Sequence, residues 1–340
     1  MPHGHAMMTA DRPIPDISIR EFTDLARQIE LEIGKIMVGQ AEVVRGIITA
    51  VLGGGHVLLE GVPGLGKTRL IRGLGQVLDL PFSRIQFTPD LMPADITGTT
   101  MLMEERGGGR AFEFQPGPIF ASLVLADELN RATPKTQSAL LEAMQEHTVT
   151  VAKHMHRLPE PFFVMATQNP IEMEGTYPLP EAQLDRFLVK LNIGYPDEND
   201  LVEILNRTTT RYEDQAQKVA DGESVLRMTN LARELPIAQP VLQYAARLMM
   251  ATHPDRDGAA DEIKRLVRFG SSPRGAQAMV IGARIRALLD GRYNVAYADI
   301  RDAALPALRH RLILNYEAEA EGMTADRILA QLLTRVPEDA

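Results

Sequence analysis

The chain has 340 residues and no cysteine. That excludes disulfides, thiolate nucleophiles, and zinc or iron–sulfur centres built on cysteine. It does not by itself fix a compartment. Long apolar runs are also missing, and none approaches the roughly 20 residues that span a bilayer. The first residues, Met1-Pro2-His3-Gly4-His5-Ala6-Met7-Met8, have no charged flank leading into an apolar core, so no signal peptide is expected. Basic excess is lacking too. A net charge of -9 disfavours a nonspecific grip on nucleic acid, although a local basic channel stays compatible with it. These absences leave a soluble, cytoplasmic protein of about two domains as the default.

What is present is organised around Gly61-Val62-Pro63-Gly64-Leu65-Gly66-Lys67-Thr68, which reads G-x-x-x-x-G-K-T. His56-Val57-Leu58-Leu59 before it is a short apolar run of the kind a buried parallel strand needs. After it, apolar residues at 70, 71, 74, 77 and 78 keep a helical period. Glycines at 61, 64 and 66 let successive backbone N–H groups turn inward toward phosphate oxygens. The following helix sets its positive end against the same anion. Lys67 can then reach the β- and γ-phosphates, and the Thr68 hydroxyl can ligate Mg²⁺.

Along the chain, residues 1–16 read as a loose tail broken by Pro13 and Pro15. Helical patterns cover 17–37 and 41–52. Apolar or alternating runs at 56–59, 82–87, 122–126, 162–167 and 188–191 predict five strands of a parallel sheet covered on both faces. Thr133-Pro134 opens a helix to about Glu146. Residues 94–118 read as a hairpin-bearing insertion, and 148–158 as a second hairpin. Met101-Leu102-Met103 is either a substrate-contacting loop or buried under the insertion. His154 and His156 can share a metal, or simply face solvent. Beyond Pro196 only helical patterns remain, at 198–209, 223–234, 240–252, 260–269, 273–290, 297–313 and 323–335. This predicts a core over 17–195 and an all-α domain over 196–340.

In such sheets ligands sit at the carboxyl ends of strands. Lys67, Asp127, Glu128 and Asn169 each fall at or just past a strand end, so one cleft can collect them. Asp127 can hold Mg²⁺ directly or through water, and Glu128 can polarise an attacking water. Asn169 is placed to orient that water, or serves as a turn residue before Pro170. Arg186 precedes the last strand. Arg274 opens a helix as Ser272-Pro273-Arg274, with Ser272 as a plausible cap. Arginines suit charge developing on a transferred phosphoryl group.

Taken together, these stretches resemble the MoxR family of AAA+ ATPases over about residues 17–335. The residues carrying the likeness are Gly61 to Thr68, Gly117 to Phe120, Ala126-Asp127-Glu128-Leu129-Asn130-Arg131-Ala132, Lys135 to Glu146, Ala166-Thr167-Gln168-Asn169-Pro170, Gly175 to Phe187, and Ser272-Pro273-Arg274. The resemblance implies an α/β fold: a P-loop core with a parallel five-stranded sheet, followed by an all-α lid. It makes Gly61 to Thr68 the Walker A loop, with ATP held by Val62, Pro63, Gly64, Leu65, Gly66, Lys67, Thr68 and Arg69. The adenine would lie near Gly39 and Gln40. Thr68 and Asp127 would hold Mg²⁺, and Glu128 would be the Walker B catalytic carboxylate. Asn169 matches sensor 1, Arg186 the arginine finger serving a neighbouring subunit, and Arg274 sensor 2. Residues 94–118 match the helix-2 insert and 148–158 the hairpin before sensor 1.

The family forms rings, usually hexamers, that remodel or assemble other proteins. Partners often carry von Willebrand factor A domains, and here such a partner would be a separate chain. The expected function is therefore an oligomeric, chaperone-like ATPase using ATP and Mg²⁺ on a protein client. A chelatase-like energy-coupling subunit for metal insertion is the alternative, and a nucleic-acid motor or a nucleotide-sensing switch fits less well.

Overall fold

The computed structural model describes residues 17–62, 64–104, 110–169, 175–209 and 216–338. The expected tail therefore lies outside the described residues, as does Pro63. The chain opens with helices α1 (Ile19–Ile36) and α2 (Ala41–Leu52). Ser18 and Glu21 close a reciprocal capping box at the start of α1. Strand β1 (Val57–Glu60) leads through the glycine loop into α3 (Lys67–Val77). Then come β2 (Phe82–Gln86), a short helix α4 (Pro93–Thr97), and the hairpin strands β3 (Gly98–Glu104) and β4 (Arg110–Pro116). Strand β5 (Leu123–Asp127), a single 3-10 turn (Leu129–Arg131) and α5 (Pro134–Glu146) follow. A second hairpin, β6 (Thr148–Val151) and β7 (His154–Arg157), precedes β8 (Phe163–Gln168), α6 (Glu181–Leu184) and β9 (Val189–Asn192).

The five expected strands form one parallel sheet in the order β2-β5-β8-β1-β9. The three central strands β5, β8 and β1 are continuous apolar runs buried on both faces, whereas the edge strands β2 and β9 alternate. Register decides where chemistry can happen. Glu60 pairs with Gln168 and Asn192, and Gln86 pairs with Asp127, so all carboxyl ends align at one edge. The residues before the strands, among them His56, Ser122 and Leu188, gather at the opposite edge.

Both hairpins are present. Ala152 and Lys153, between β6 and β7, both have positive φ, as a two-residue turn matching the strand twist demands. Phe114 of β4 stacks on His156 of β7 at 3.8 Å between ring centres, tying the hairpins together. His156 thus has a packing role, and His154 is exposed. Met101, Leu102 and Met103 are about half exposed rather than buried, and Phe112 beside them is 78% exposed.

From Glu198 onward the chain is mainly helical: α7 (Glu198–Thr208), α8 (Gly222–Glu234), α9 (Gln239–Ala251), α10 (Asp261–Leu266), α11 (Pro273–Leu289), α12 (Tyr297–Leu308), α13 (Tyr316–Ala320) and α14 (Ala325–Arg335). The expected all-α description needs one correction. Strands β10 (Val267–Phe269) and β11 (Ile313–Leu314) pair antiparallel inside this region. A short apolar run cannot be told from a helix end by periodicity alone, so the two helical patterns overran into the ribbon. The buried residues of α8, α9, α11 and α12 are continuous with those of α1 to α3, so this region packs on the sheet's helical layer.

Candidate active site

The glycine loop between β1 and α3 is built for close approach. Gly64 and Gly66 have φ of +87° and +76°, which side-chain-bearing residues rarely adopt, and a Cβ on Gly64 would meet nothing within 4 Å. Gly66 is the N-cap of α3, so Lys67 and Thr68 stand on its first turn. The Lys67 ammonium is half-buried and donates to the Gly61 carbonyl. Burial pushes its pKa down, and the carboxylates of Asp127, Glu128 and Glu60 act against that.

Across the cleft, Asp127 ends β5 and Glu128 takes the left-handed conformation at φ +57°. Such backbone costs a non-glycine residue on the order of 1 kcal/mol and needs support from its surroundings. The support is visible. Thr167 of β8 receives the Glu128 N–H at 2.8 Å and donates to Asp127 Oδ1 at 2.7 Å. Arg84 of β2 donates to Asp127 Oδ2 at 2.6 Å, and Gln86 donates to Glu128 Oε2 at 2.9 Å. Arg131 reaches the same Glu128 oxygen at 2.8 Å. The sequence motifs do not include Arg84 and Gln86, and they include Thr167 without giving it a role. Their signal was present: β2 alternates, so Arg84 and Gln86 share a face, and Thr167 is a hydroxyl in an apolar strand.

A cavity of about 280 Å³ is lined by Gly64, Gly66, Lys67, Thr68, Arg69, Arg84, Asp127, Glu128 and Asn169. This size takes phosphate groups and a cation rather than a whole nucleotide. Among the described residues no cluster of three or more His, Asp or Glu could hold a metal unaided. Thr68 and Asp127 in the lining give the one or two protein oxygens that a Mg²⁺ shared with phosphate oxygens and water uses. The donor set therefore fits a Mg²⁺-polyphosphate. Leu65 packs on the core behind the loop, and Val62 is half-buried. Gly39 and Gln40 stand outside this cavity. Gly39 has φ +70° with the Asp200 carboxylate where its Cβ would be, and Gln40 donates to the Gly194 carbonyl at 3.2 Å.

Arg186 and Arg274 do not join this cleft. Both line a second cavity, of about 230 Å³, together with His56, Asp185 and Arg311. Leu188, two residues past Arg186, bonds to His56 at the amino end of β1. Arg186 is thus a full strand length, roughly 10 Å or more, from the edge holding Lys67. Arg274 lies 4.0 Å from Asp185, on the same side as Arg186.

Comparison with known proteins gives the family. The profile of the ATPase family associated with various cellular activities (AAA) matches residues 56–189, and the AAA lid domain profile matches residues 259–332. Chaperone MoxR1 of Mycobacterium tuberculosis is 40% identical over 338 residues, covering 98% of this chain and 88% of the relative. The chain belongs to the MoxR family of AAA+ ATPases. Protein MoxR of Methylorubrum extorquens is 32% identical, covering 93% and 96% of the two chains. The crystal structure of a candidate ATPase from Cytophaga hutchinsonii superposes with a TM-score of 0.87 at 38% identity, over 94% of this chain and 96% of that one. The AAA match takes in the strands of the sheet up to the start of β9, and the lid match takes in α10 to α13 and most of α14. Among the described residues no helix is long and apolar enough to cross a membrane.

Proposed function

We propose that this MoxR protein is a Mg²⁺-dependent ATPase whose site is completed by the next subunit of a ring, and that turnover remodels or assembles partner proteins. The observation carrying this reading is the separation of Arg186 and Arg274 from the Lys67 cleft of their own chain. A charged group at the far edge of the sheet cannot serve its own site, but a head-to-tail ring brings that edge against a neighbour's cleft.

Within the cleft, the α3 N-terminus, Gly64 and Gly66 cradle the phosphates, and Lys67 neutralises their charge. Thr68 and Asp127 would hold Mg²⁺, which supplies charge neutralisation at the transferred phosphoryl group. Glu128 takes the proton from the attacking water, with Asn169 orienting that water. Arg69 borders the phosphate cavity, and Gly39 and Gln40 lie toward the adenine. Arg186 and Arg274 of one subunit meet the neighbour's phosphates from outside.

A homo-hexamer, a separate partner with a von Willebrand factor A domain, and a cytoplasmic setting belong to the same reading. The chaperone name of the M. tuberculosis relative supports a protein client. So do the exposed Met101, Leu102, Met103 and Phe112, which offer adaptable apolar surface on one hairpin.

The test is ATP turnover per subunit across a wide range of protein concentration. Turnover should rise with concentration, and Arg186→Ala should abolish the rise while nucleotide binding persists. Flat, non-zero turnover at concentrations where only monomer exists would sink the shared site.

A further inference from the structure

Arg311 lies in the lid, three residues past the end of α12, yet its guanidinium is directed at the core loop that carries Arg186. Its Nε donates to Asp185 Oδ1 at 2.7 Å. Its Nη2 donates to the Phe187 carbonyl at 2.7 Å and the Asp185 carbonyl at 3.1 Å. Its Nη1 donates to the Leu188 carbonyl at 3.1 Å and to the Ala307 carbonyl. The residues flanking Arg186 on both sides are therefore held by one side chain, which is only 3% exposed. His310 adds a bond from Nε2 to the same Phe187 carbonyl at 3.1 Å.

The other half of the clasp is Asp185. Its carboxylate receives the Ser272 hydroxyl at 2.8 and 2.9 Å and lies 4.0 Å from Arg274 Nε. Ser272 is the N-cap of α11 and accepts the Arg274 N–H at 3.2 Å. The chain of contacts runs Arg311, Asp185, Ser272, Arg274, and it encloses the Arg186 loop. Burial alone would disfavour the charged Arg311, and its bond to Asp185 counteracts that. Isolated buried pairs contribute little net stability, so their use in fixing a geometry is the more informative one.

We propose that Arg311 is a positioning residue for hydrolysis in the neighbouring subunit: with Asp185 it locks the Arg186 loop and the Arg274 helix into one unit that moves with the lid. This rests on the trans-acting reading of Arg186. The device uses the five donors of a planar guanidinium, and lysine, with three donors on one point, cannot reproduce it.

The test uses Arg311→Lys in the full chain. Nucleotide affinity should stay at the wild-type value, because the Lys67 cleft is at the other edge of the sheet. Turnover of the assembled variant should fall on the order of tenfold to a hundredfold, the scale of a misplacement near 1 Å. Mixing it with Glu128→Gln subunits decides the role. Arg311→Lys subunits keep an intact Glu128, and Glu128→Gln subunits present an intact Arg186, so mixed assemblies should turn over ATP well above either parent. A wild-type rate in Arg311→Lys alone overturns the proposal. So does a loss that mixing fails to restore while mixed Arg186→Ala and Glu128→Gln subunits are restored, because Arg311 would then serve its own subunit's fold. If that control mixture also stays inactive, the trans reading itself falls. Should Arg311→Lys not fold, Asp185→Asn keeps the side-chain size, removes the charge of the clasp, and carries the same expectations.

Discussion

The side-chain amide of Gln86 donates to Glu128 at 2.9 Å, so the carboxylate proposed as the base is held by a residue of the edge strand β2. Arg131 holds the same oxygen at 2.8 Å. With both donors in place, one face of the carboxylate is engaged before any water reaches it. Gln86→Ala removes one of these bonds without touching the phosphate cradle. Basal turnover should rise about threefold or more, within what one hydrogen bond to a charged group can supply. Nucleotide affinity should not change. Steady-state turnover with a nucleotide titration checks both, and a fall in turnover would make Gln86 an aligning group instead of a restraint.

Acid should loosen the fold through two buried imidazoles. His56 accepts the Val164 N–H on Nδ1 at 3.1 Å and donates from Nε2 to the Met144 carbonyl at 3.0 Å, which requires the neutral ring. Burial pushes its pKa from 6.5 down to about 4. His310 is pushed down as well, by burial first and then by the charge of Arg311. The unfolded chain therefore binds protons that the native state refuses. For His56 this contribution is complete above about pH 6.5, falls as pH drops, and is fully lost near pH 4. For His56 it amounts to roughly 3 kcal/mol. Melting temperature should drop between about pH 7.5 and pH 5, and His56→Gln, which cannot titrate, should flatten the slope. Equal slopes in the two proteins would assign the acid sensitivity elsewhere.

The sheet was legible because the strands read as short apolar or alternating runs bounded by turn residues, and because strand ends carry Lys67, Asp127, Glu128 and Asn169 within a few residues. Local pattern was enough to place these. It was not enough for the network beneath them. Arg84 and Gln86 read as the polar side of an alternating strand, and only the register of β2 against β5 brings them to Asp127 and Glu128. Arg311 had no local signal at all, since its partner Asp185 is 126 residues away. The short elements α4, α6 and α13 were too brief for a period to show, and the β10–β11 ribbon was absorbed into neighbouring helical patterns. Roles carried by spacing could be read early, whereas roles carried by long-range contact needed the fold.

The hairpin β3–β4 separates a residue that builds the structure from one that faces outward. At its base, a Cβ on Gly117 would lie 2.2 Å from the Ile96 carbonyl oxygen, and one on Gly98 would lie 2.2 Å from that of Gln115. These neighbours are backbone and cannot swing aside. Gly117→Ala should therefore open the base, at a cost of about 2 kcal/mol or more. Limited proteolysis should then cut the hairpin readily. Phe112, 78% exposed, should behave oppositely. Phe112→Lys should change stability by no more than about 0.5 kcal/mol, and should leave ATP turnover intact, because the hairpin is a separate two-stranded sheet away from the phosphate cavity. Its loss should appear in client remodelling. A fall of several degrees in the melting temperature of Phe112→Lys would show instead that this ring is covered in the assembled protein, and the client-contacting role of the hairpin would then pass to subunit packing.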